Sequence, residues 1–158
     1  MPIIRLDTYI ELPIEKVFDL SRSIEFHTKS TAHTQESVVA GKRSGLLNLN
    51  ETVTWKAKHL GIWQKLTVRI TACDPPNYFV DEMVSGAFKD FKHEHFFKAH
   101  KGGTLMKDIF QYSSPFGLLG KLVDFIFLEK YMKKFLQKRN EMLKEIAETN
   151  NWQAFIDP

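Results

Sequence analysis

The chain has 158 residues, of which 43% are hydrophobic and 26% are charged, a composition typical of one soluble globular domain and not of a disordered chain. Its net charge of +3 comes mainly from a C-terminal segment in which bases and acids are interleaved, so the charge does not predict a nucleic-acid-binding surface. The single cysteine, Cys73, excludes an internal disulfide, and neither a signal peptide nor a membrane span of ~20 apolar residues is predicted, which favours a cytoplasmic protein.

The first predicted elements are a strand and two short helices. Apolar and polar side chains alternate over residues 4–12, which predicts a half-buried strand ended by Pro13. Proline suits the first turn of a helix, and apolar side chains predict helices over residues 14–20 and 24–30.

In the middle of the chain, apolar and polar side chains alternate with a period of two. This alternation predicts six strands, over residues 34–40, 52–59, 63–72, 78–84, 89–99 and 104–112. Turn signals such as Asp74-Pro75-Pro76-Asn77 separate them. Strands joined by short turns form an antiparallel sheet with one apolar and one solvated face.

The last predicted element is a long amphipathic helix over residues 114–150. Its rise of ~45 Å would cross a small domain. Apolar side chains recur at intervals of three and four, with Arg139 in one slot of the stripe, so the helix is expected to cover the apolar face of the sheet. The stripe consists of Leu122, Phe125, Leu128, Met132, Phe135, Met142 and Ile146.

Polar side chains lie among the inward positions of the last two strands. Phe91, His93, His95 and Phe97 share the less charged face of one strand, and Thr104, Met106, Asp108, Phe110 and Tyr112 share a face of the next. A buried Asp108 must be hydrogen-bonded, and a histidine is the nearest partner. Strand parity also favours an inward position for Asp81.

Five stretches carry a family resemblance: LPIEKVFDL, SRSIEFHTKSTAHTQE, VTWKAKHLG, DPPNYFVDEMVSGAFKDFKHEHFF and DIFQYSSPFGLLG. With the order of elements, they make the chain similar to the START/Bet v 1-like (SRPBCC) superfamily, in particular to bacterial polyketide cyclase/dehydrase-like ligand-binding proteins. The resemblance implies one α+β helix-grip domain over residues 1–158. In it a curved seven-stranded antiparallel sheet wraps around a long C-terminal helix, with two short helices after the first strand and a cavity between sheet and helix. It does not imply a ligand.

The leading hypothesis is therefore binding, for sequestration, transport or presentation, of a small and mostly apolar or amphipathic molecule in that cavity, without a cofactor. His27, on the second short helix, is expected near the cavity entrance. The expected ligand-binding residues are Trp55, His59, Phe91, His93, His95, Phe97, Met106, Asp108, Phe110, Tyr112 and His27.

Two alternatives stay open. In the first, a cyclase/dehydratase- or hydrolase-like enzyme uses His93 or His95 as a general base poised by Asp108. In the second, the protein handles lipids at a membrane surface without stable insertion. The side chains for that role are Phe116, Leu118, Leu119, Phe125 and Phe127, with Lys121.

Two further expectations concern metals and assembly. The spacing of His93 and His95, without a recognisable group to orient the imidazoles, does not predict a metal site. A homodimer through exposed aromatic side chains is a further open alternative.

Overall fold

The structure is a computed structural model that describes residues 1–115 and 117–157, without the side chains of residues 120 and 123–125. Phe116 and the Phe125 side chain, both named in the membrane hypothesis, lie outside the described residues. The position that Phe125 was expected to occupy in the apolar stripe of the long helix is therefore not described either.

Seven antiparallel strands form one sheet, in the order β1-β7-β6-β5-β4-β3-β2. Strands β2 to β7 follow one another as a meander, and the N-terminal strand β1 adds to the far edge of β7. The curved sheet, the long C-terminal helix and the two short helices after β1 confirm the predicted helix-grip fold. The strands are β1 (Ile3–Ile10), β2 (Ser37–Gly41), β3 (Thr52–His59), β4 (Ile62–Asp74), β5 (Tyr78–Ser85), β6 (Asp90–His100) and β7 (Gly103–Ser113).

The helices are α1 (Ile14–Ser21), α2 (Ile24–Ser30), α3 (Gly117–Val123), α4 (Glu129–Glu148) and α5 (Gln153–Ile156). A π-helical turn, Asp124–Leu128, joins α3 to α4. The helical segments follow one another without a break, so the predicted long C-terminal helix is confirmed, with one π turn inside it.

The apolar stripe needs correction at its first residue. Leu122, expected to face the sheet, lies before the π turn and is 57% exposed. After the turn the buried positions of α4 have the helical period and include Arg139 and Asn140. None of the described helices combines the length and hydropathy that crossing a bilayer requires.

One segment boundary differs from the expected one, and one short helix was not expected. Thr34 belongs to a 3₁₀ turn, Ala32–Thr34, so β2 starts only at Ser37. Helix α5 has no strong period in the sequence and is held by tertiary contacts, since the Ser23 hydroxyl donates to the Phe155 carbonyl at 2.7 Å.

One end of the concave face of the sheet is solid. The Phe18 ring of α1 packs edge-on against Phe79 and Phe97, with ring centroids 5.6 Å and 5.4 Å away. Met106 and Ser21 fill the same region, where the Ser21 hydroxyl lies 3.7 Å from the Met106 sulfur. Helix α1 therefore closes this end, and the space under α4 is at the other end.

Candidate functional site

A cavity of about 360 Å³ lies between the concave face of the sheet and helix α4. This volume falls within the range of small-molecule sites, roughly 300–1,000 Å³. Most of the lining is apolar, with contributions from strands β3 to β7 and from α4. Representative apolar lining residues are Val68, Ile70, Phe79, Phe88 and Leu136.

Four side chains, Asp81, His93, His95 and Asp108, form a His/Asp cluster at one end of the cavity. Three neighbouring strands supply them, because the register places Asp81 of β5 opposite His93 of β6, and His95 opposite Asp108 of β7. His93 Nε2 donates to Asp108 Oδ1 at 3.0 Å, and His95 Nε2 donates to Asp81 Oδ1 at 2.9 Å. His95 Nδ1 lies 2.8 Å from the same Asp108 oxygen, but its alignment is too poor for a directed hydrogen bond.

Helix α4 contacts the cluster through Asp108, the member that does not line the cavity. Asn140 Nδ2 donates to Asp108 Oδ2 at 2.7 Å, and Arg139 Nη1 donates to Asn140 Oδ1 at 3.0 Å. Arg139 Nη2 also donates to the Ser21 carbonyl at 3.1 Å, so the guanidinium bridges α1 and α4. The Asp81 side chain is 19% exposed and that of Asp108 is 2% exposed. Asp81 therefore faces the cavity, and Asp108 lies behind both imidazoles.

The cluster gives the two histidines different protonation behaviour. Burial, with the neighbouring His95, lowers the pKa of His93. Burial also disfavours a charge on His95, but the close Asp108 and Asp81 carboxylates outweigh it and raise the pKa of His95. Burial would raise the pKa of Asp108, yet the hydrogen bond from His93 and the close contact with His95 hold that pKa well below its ordinary value. The same balance, with His95 as main partner, lowers the pKa of Asp81.

A second set of polar contacts lies on the opposite wall. His27 stacks on Trp55, with ring centroids 4.2 Å apart, and its Nε2 lies 3.0 Å from Glu36 Oε1. His59 Nδ1 lies 2.8 Å from the Tyr131 hydroxyl, which ties the end of β3 to the start of α4. Tyr131 and Arg139 are eight residues apart on α4, so the two polar regions are separated by ~12 Å along the helix.

Seven of the eleven expected ligand-binding residues line this cavity. They are His27, Trp55, His59, Phe91, His93, His95 and Phe110.

The other four, Phe97, Met106, Asp108 and Tyr112, are buried but do not line the cavity. Phe97 and Met106 lie under α1, which fills that end. Asp108 is covered by the imidazoles that it binds. The fully buried Tyr112 packs against Phe88, whose ring centroid is 5.1 Å away.

Sequence reasoning missed several lining residues. Arg139 was visible only as an interruption of the apolar stripe, which is a signal for a charged group with a buried partner. Asp81 was expected to point inward from the alternation of β5, but the sequence did not place it beside the histidines, since that depends on the β5–β6 register. Glu36 and Tyr131 gave no signal, since each is placed by a tertiary contact.

Three members of the cluster could together hold a metal ion. In the described part of the chain, Asp81, His93 and His95 form a group whose ligand atoms all lie within 4.8 Å of one another. Two imidazoles and a carboxylate are ligands that first-row transition metals accept.

Comparisons with known proteins agree with this architecture. The family model described as "Polyketide cyclase / dehydrase and lipid transport" matches residues 10–137. Protein TTHA0849 from Thermus thermophilus has a similar structure, with a TM-score of 0.75 and 18% identity over 92% of this chain and 97% of that one. Major latex-like protein 151 from Panax ginseng gives a TM-score of 0.70 and 15% identity over 94% and 98%. At these identities the structures show a shared fold, and no curated protein matches the sequence.

Proposed function

The chain belongs to the polyketide cyclase/dehydrase and lipid transport family, and from this premise and its cavity we propose that it binds a small, mostly apolar molecule carrying one hydroxyl group. The observation that carries the proposal is the lining of the cavity, which is mostly apolar, with Asp81, His93, His95 and Arg139 together at one end. Burial of the apolar part of the ligand would supply ~25 cal/mol for each Å² removed from water.

The polar end favours a hydroxyl over a carboxylate. Asp81 faces the cavity as an acceptor, so a ligand hydroxyl can donate to it, whereas a ligand carboxylate would meet a like charge. Arg139 already donates to Asn140 and to the Ser21 carbonyl, which leaves fewer of its N–H groups for a ligand carboxylate. Orientation would therefore come from Asp81, and affinity from the apolar walls.

Thermal-shift measurements with paired compounds test this proposal. We expect hydroxylated apolar compounds, such as sterols, long-chain alcohols or phenolic polyketides, to raise the melting temperature. At a concentration of about 100 times Kd the gain is ~2.7 kcal/mol, or roughly 5–11 °C for a chain of this size. In protein freed of metal by a chelator, the corresponding carboxylates should give smaller shifts. A screen in which no apolar compound raises the melting temperature would contradict the proposal.

A second candidate function, peripheral lipid handling, is favoured by exposed apolar side chains, one of which also lines the cavity. Leu118 and Leu119 of α3 are 85% and 70% exposed, and Ile62 and Trp63 at the start of β4 are 63% and 49% exposed. Leu60, in the turn before β4, is both exposed and part of the cavity lining. A membrane-bound protein would bury these side chains among lipid headgroups, with the exposed Lys121 near anionic lipid.

Sedimentation with anionic vesicles tests this second candidate. We expect vesicles containing phosphatidylserine to pellet the protein, and the double change Leu118→Ser/Leu119→Ser to reduce the pelleted fraction about tenfold, because two apolar anchors are lost. The control is Val84→Ser, which removes an exposed apolar side chain of β5 that does not line the cavity. Absence of pelleting, or equal loss with the control, would rule out this function.

A reaction in the same cavity stays a prediction. A cyclase or dehydratase would need a basic group that the substrate can reach, and of the proposed residues His93 and His95 line the cavity while Asp108 does not. Asp108 would then orient the imidazoles without touching the substrate.

A further inference from the structure

The cavity-facing atoms of the His/Asp cluster converge on one point. His95 Nε2 lies 2.9 Å from Asp81 Oδ1, His93 Nδ1 lies 3.9 Å from the same oxygen, and the three ligand atoms are all within 4.8 Å of one another. The nearest point equidistant from three atoms with these separations lies in their plane, about 2.0–2.4 Å from each, close to the ~2.0–2.2 Å bonds that zinc makes with imidazole nitrogen and carboxylate oxygen.

The remaining nitrogens of both imidazoles point away from the cavity to one carboxylate. His93 Nε2 lies 3.0 Å and His95 Nδ1 lies 2.8 Å from Asp108 Oδ1, and Asn140 fixes the other Asp108 oxygen. A metal-binding histidine almost always gives its second N–H to such an acceptor, which fixes the tautomer and the ring plane. Asp108 is such an acceptor for His93, and its same oxygen lies beside the second nitrogen of His95, an arrangement that the spacing of the histidines in the sequence did not indicate.

From this geometry we propose that Asp81 Oδ1, His93 Nδ1 and His95 Nε2 bind one divalent transition-metal ion, with Asp108 as the shared carboxylate behind both histidines. The donor set, two imidazoles and one carboxylate, suits Zn²⁺ or Fe²⁺. Three protein ligands leave at least one coordination position open, and all three residues line the cavity, so that position faces the ligand space.

The charges of the site fit a dication. Asp81 and Asp108 are two buried or nearly buried carboxylates, and Arg139 is the cation that α4 places beside them. Without a metal, a proton on His95 Nε2 fills the space between that nitrogen and Asp81 Oδ1. A metal ion would replace this proton and bind His93 Nδ1 as well, which lies too far from Asp81 for a hydrogen bond.

Metal binding does not depend on the proposed apolar ligand, because the metal alone is the probe. The full chain is treated with a chelator, dialysed, and titrated calorimetrically with Zn²⁺, and in parallel with Co²⁺ followed by visible absorption. We expect one ion per chain and Co²⁺ bands of a four- or five-coordinate site. Asp81→Asn and His93→Gln should each weaken Zn²⁺ binding by about 100-fold or more, and Asp108→Asn by about 10–100-fold.

The matched control is His100→Gln, which makes the same change at an exposed position of the same strand and should leave affinity within about threefold. Circular dichroism melts show whether each variant is folded, and the near-isosteric Asp81→Asn preserves the packing if His93→Gln does not. The proposal is overturned if the wild-type chain binds no ion at micromolar Zn²⁺, or if Asp81→Asn binds as tightly as wild type. If the chain binds Zn²⁺ but no apolar compound raises its melting temperature, this inference stands and only the proposed function is contradicted.

Discussion

Replacing Ala57 with tryptophan is expected to abolish binding of apolar ligands while leaving the fold intact. Ala57 is buried on the inner face of β3 and lines the cavity. An indole ring at this position would extend into the space of about 360 Å³ and exclude the ligand. We expect the affinity for a neutral aminonaphthalene dye, measured by fluorescence titration, to fall by about 100-fold, which is ~2.8 kcal/mol.

The control for this change is Lys58→Trp, at the next position of the same strand. Lys58 is exposed on the outer face of the sheet, so its replacement adds the same ring outside the cavity. Dye affinity should stay within about threefold of wild type. Similar losses in the two variants, or full binding by Ala57→Trp, would show that the dye binds elsewhere.

Removal of the Asp108 carboxylate is expected to cause the largest loss of stability. Asp108 accepts from His93 and Asn140 and lies against His95, and its lowered pKa indicates that the folded state stabilises its charge. Asp108→Ala leaves these buried donors without an acceptor, for which the cost is ~3–5 kcal/mol. Urea denaturation should show this loss, and the melting temperature should fall by roughly 6–20 °C.

Asp7→Ala is the matched control for Asp108→Ala. Asp7 lies on the neighbouring strand β1, its side chain is 62% exposed, and its nearest basic partner, Lys107, is 3.9 Å away. Such a surface pair contributes ~0–1 kcal/mol. If the two alanine variants lose similar stability, the His/Asp cluster does not support the fold in the way described.

The strands were predictable because their side chains alternate. His93, His95 and Asp108 were expected to point inward, and all three are buried in the structure. Their pairing also follows from adjacency, because a hairpin of four residues places the last two predicted strands side by side. The family resemblance, not the periodicity, supplied the curved seven-stranded sheet around the helix and the cavity between them.

The structural features that the sequence could not predict depend on tertiary contacts. The π turn at Asp124–Leu128 has no sequence signature of its own, and it changes the exposure of Leu122. The division of the interior into a solid and a hollow end depends on where α1 places Phe18. The convergence of Asp81 with both histidines depends on the register between β5 and β6, which period-two patterns do not encode because they do not say which residues of two strands lie opposite each other.

Diffraction from crystals pressurised with xenon would show whether the interior under α4 is hollow, since xenon enters apolar cavities in proteins. We predict a xenon site between the concave face of the sheet and α4, in contact with Val68, Ile70 and Leu136, and its loss in Ala57→Trp. A map with no xenon there, and with side chains filling that space, would contradict the proposal that this protein holds an apolar ligand.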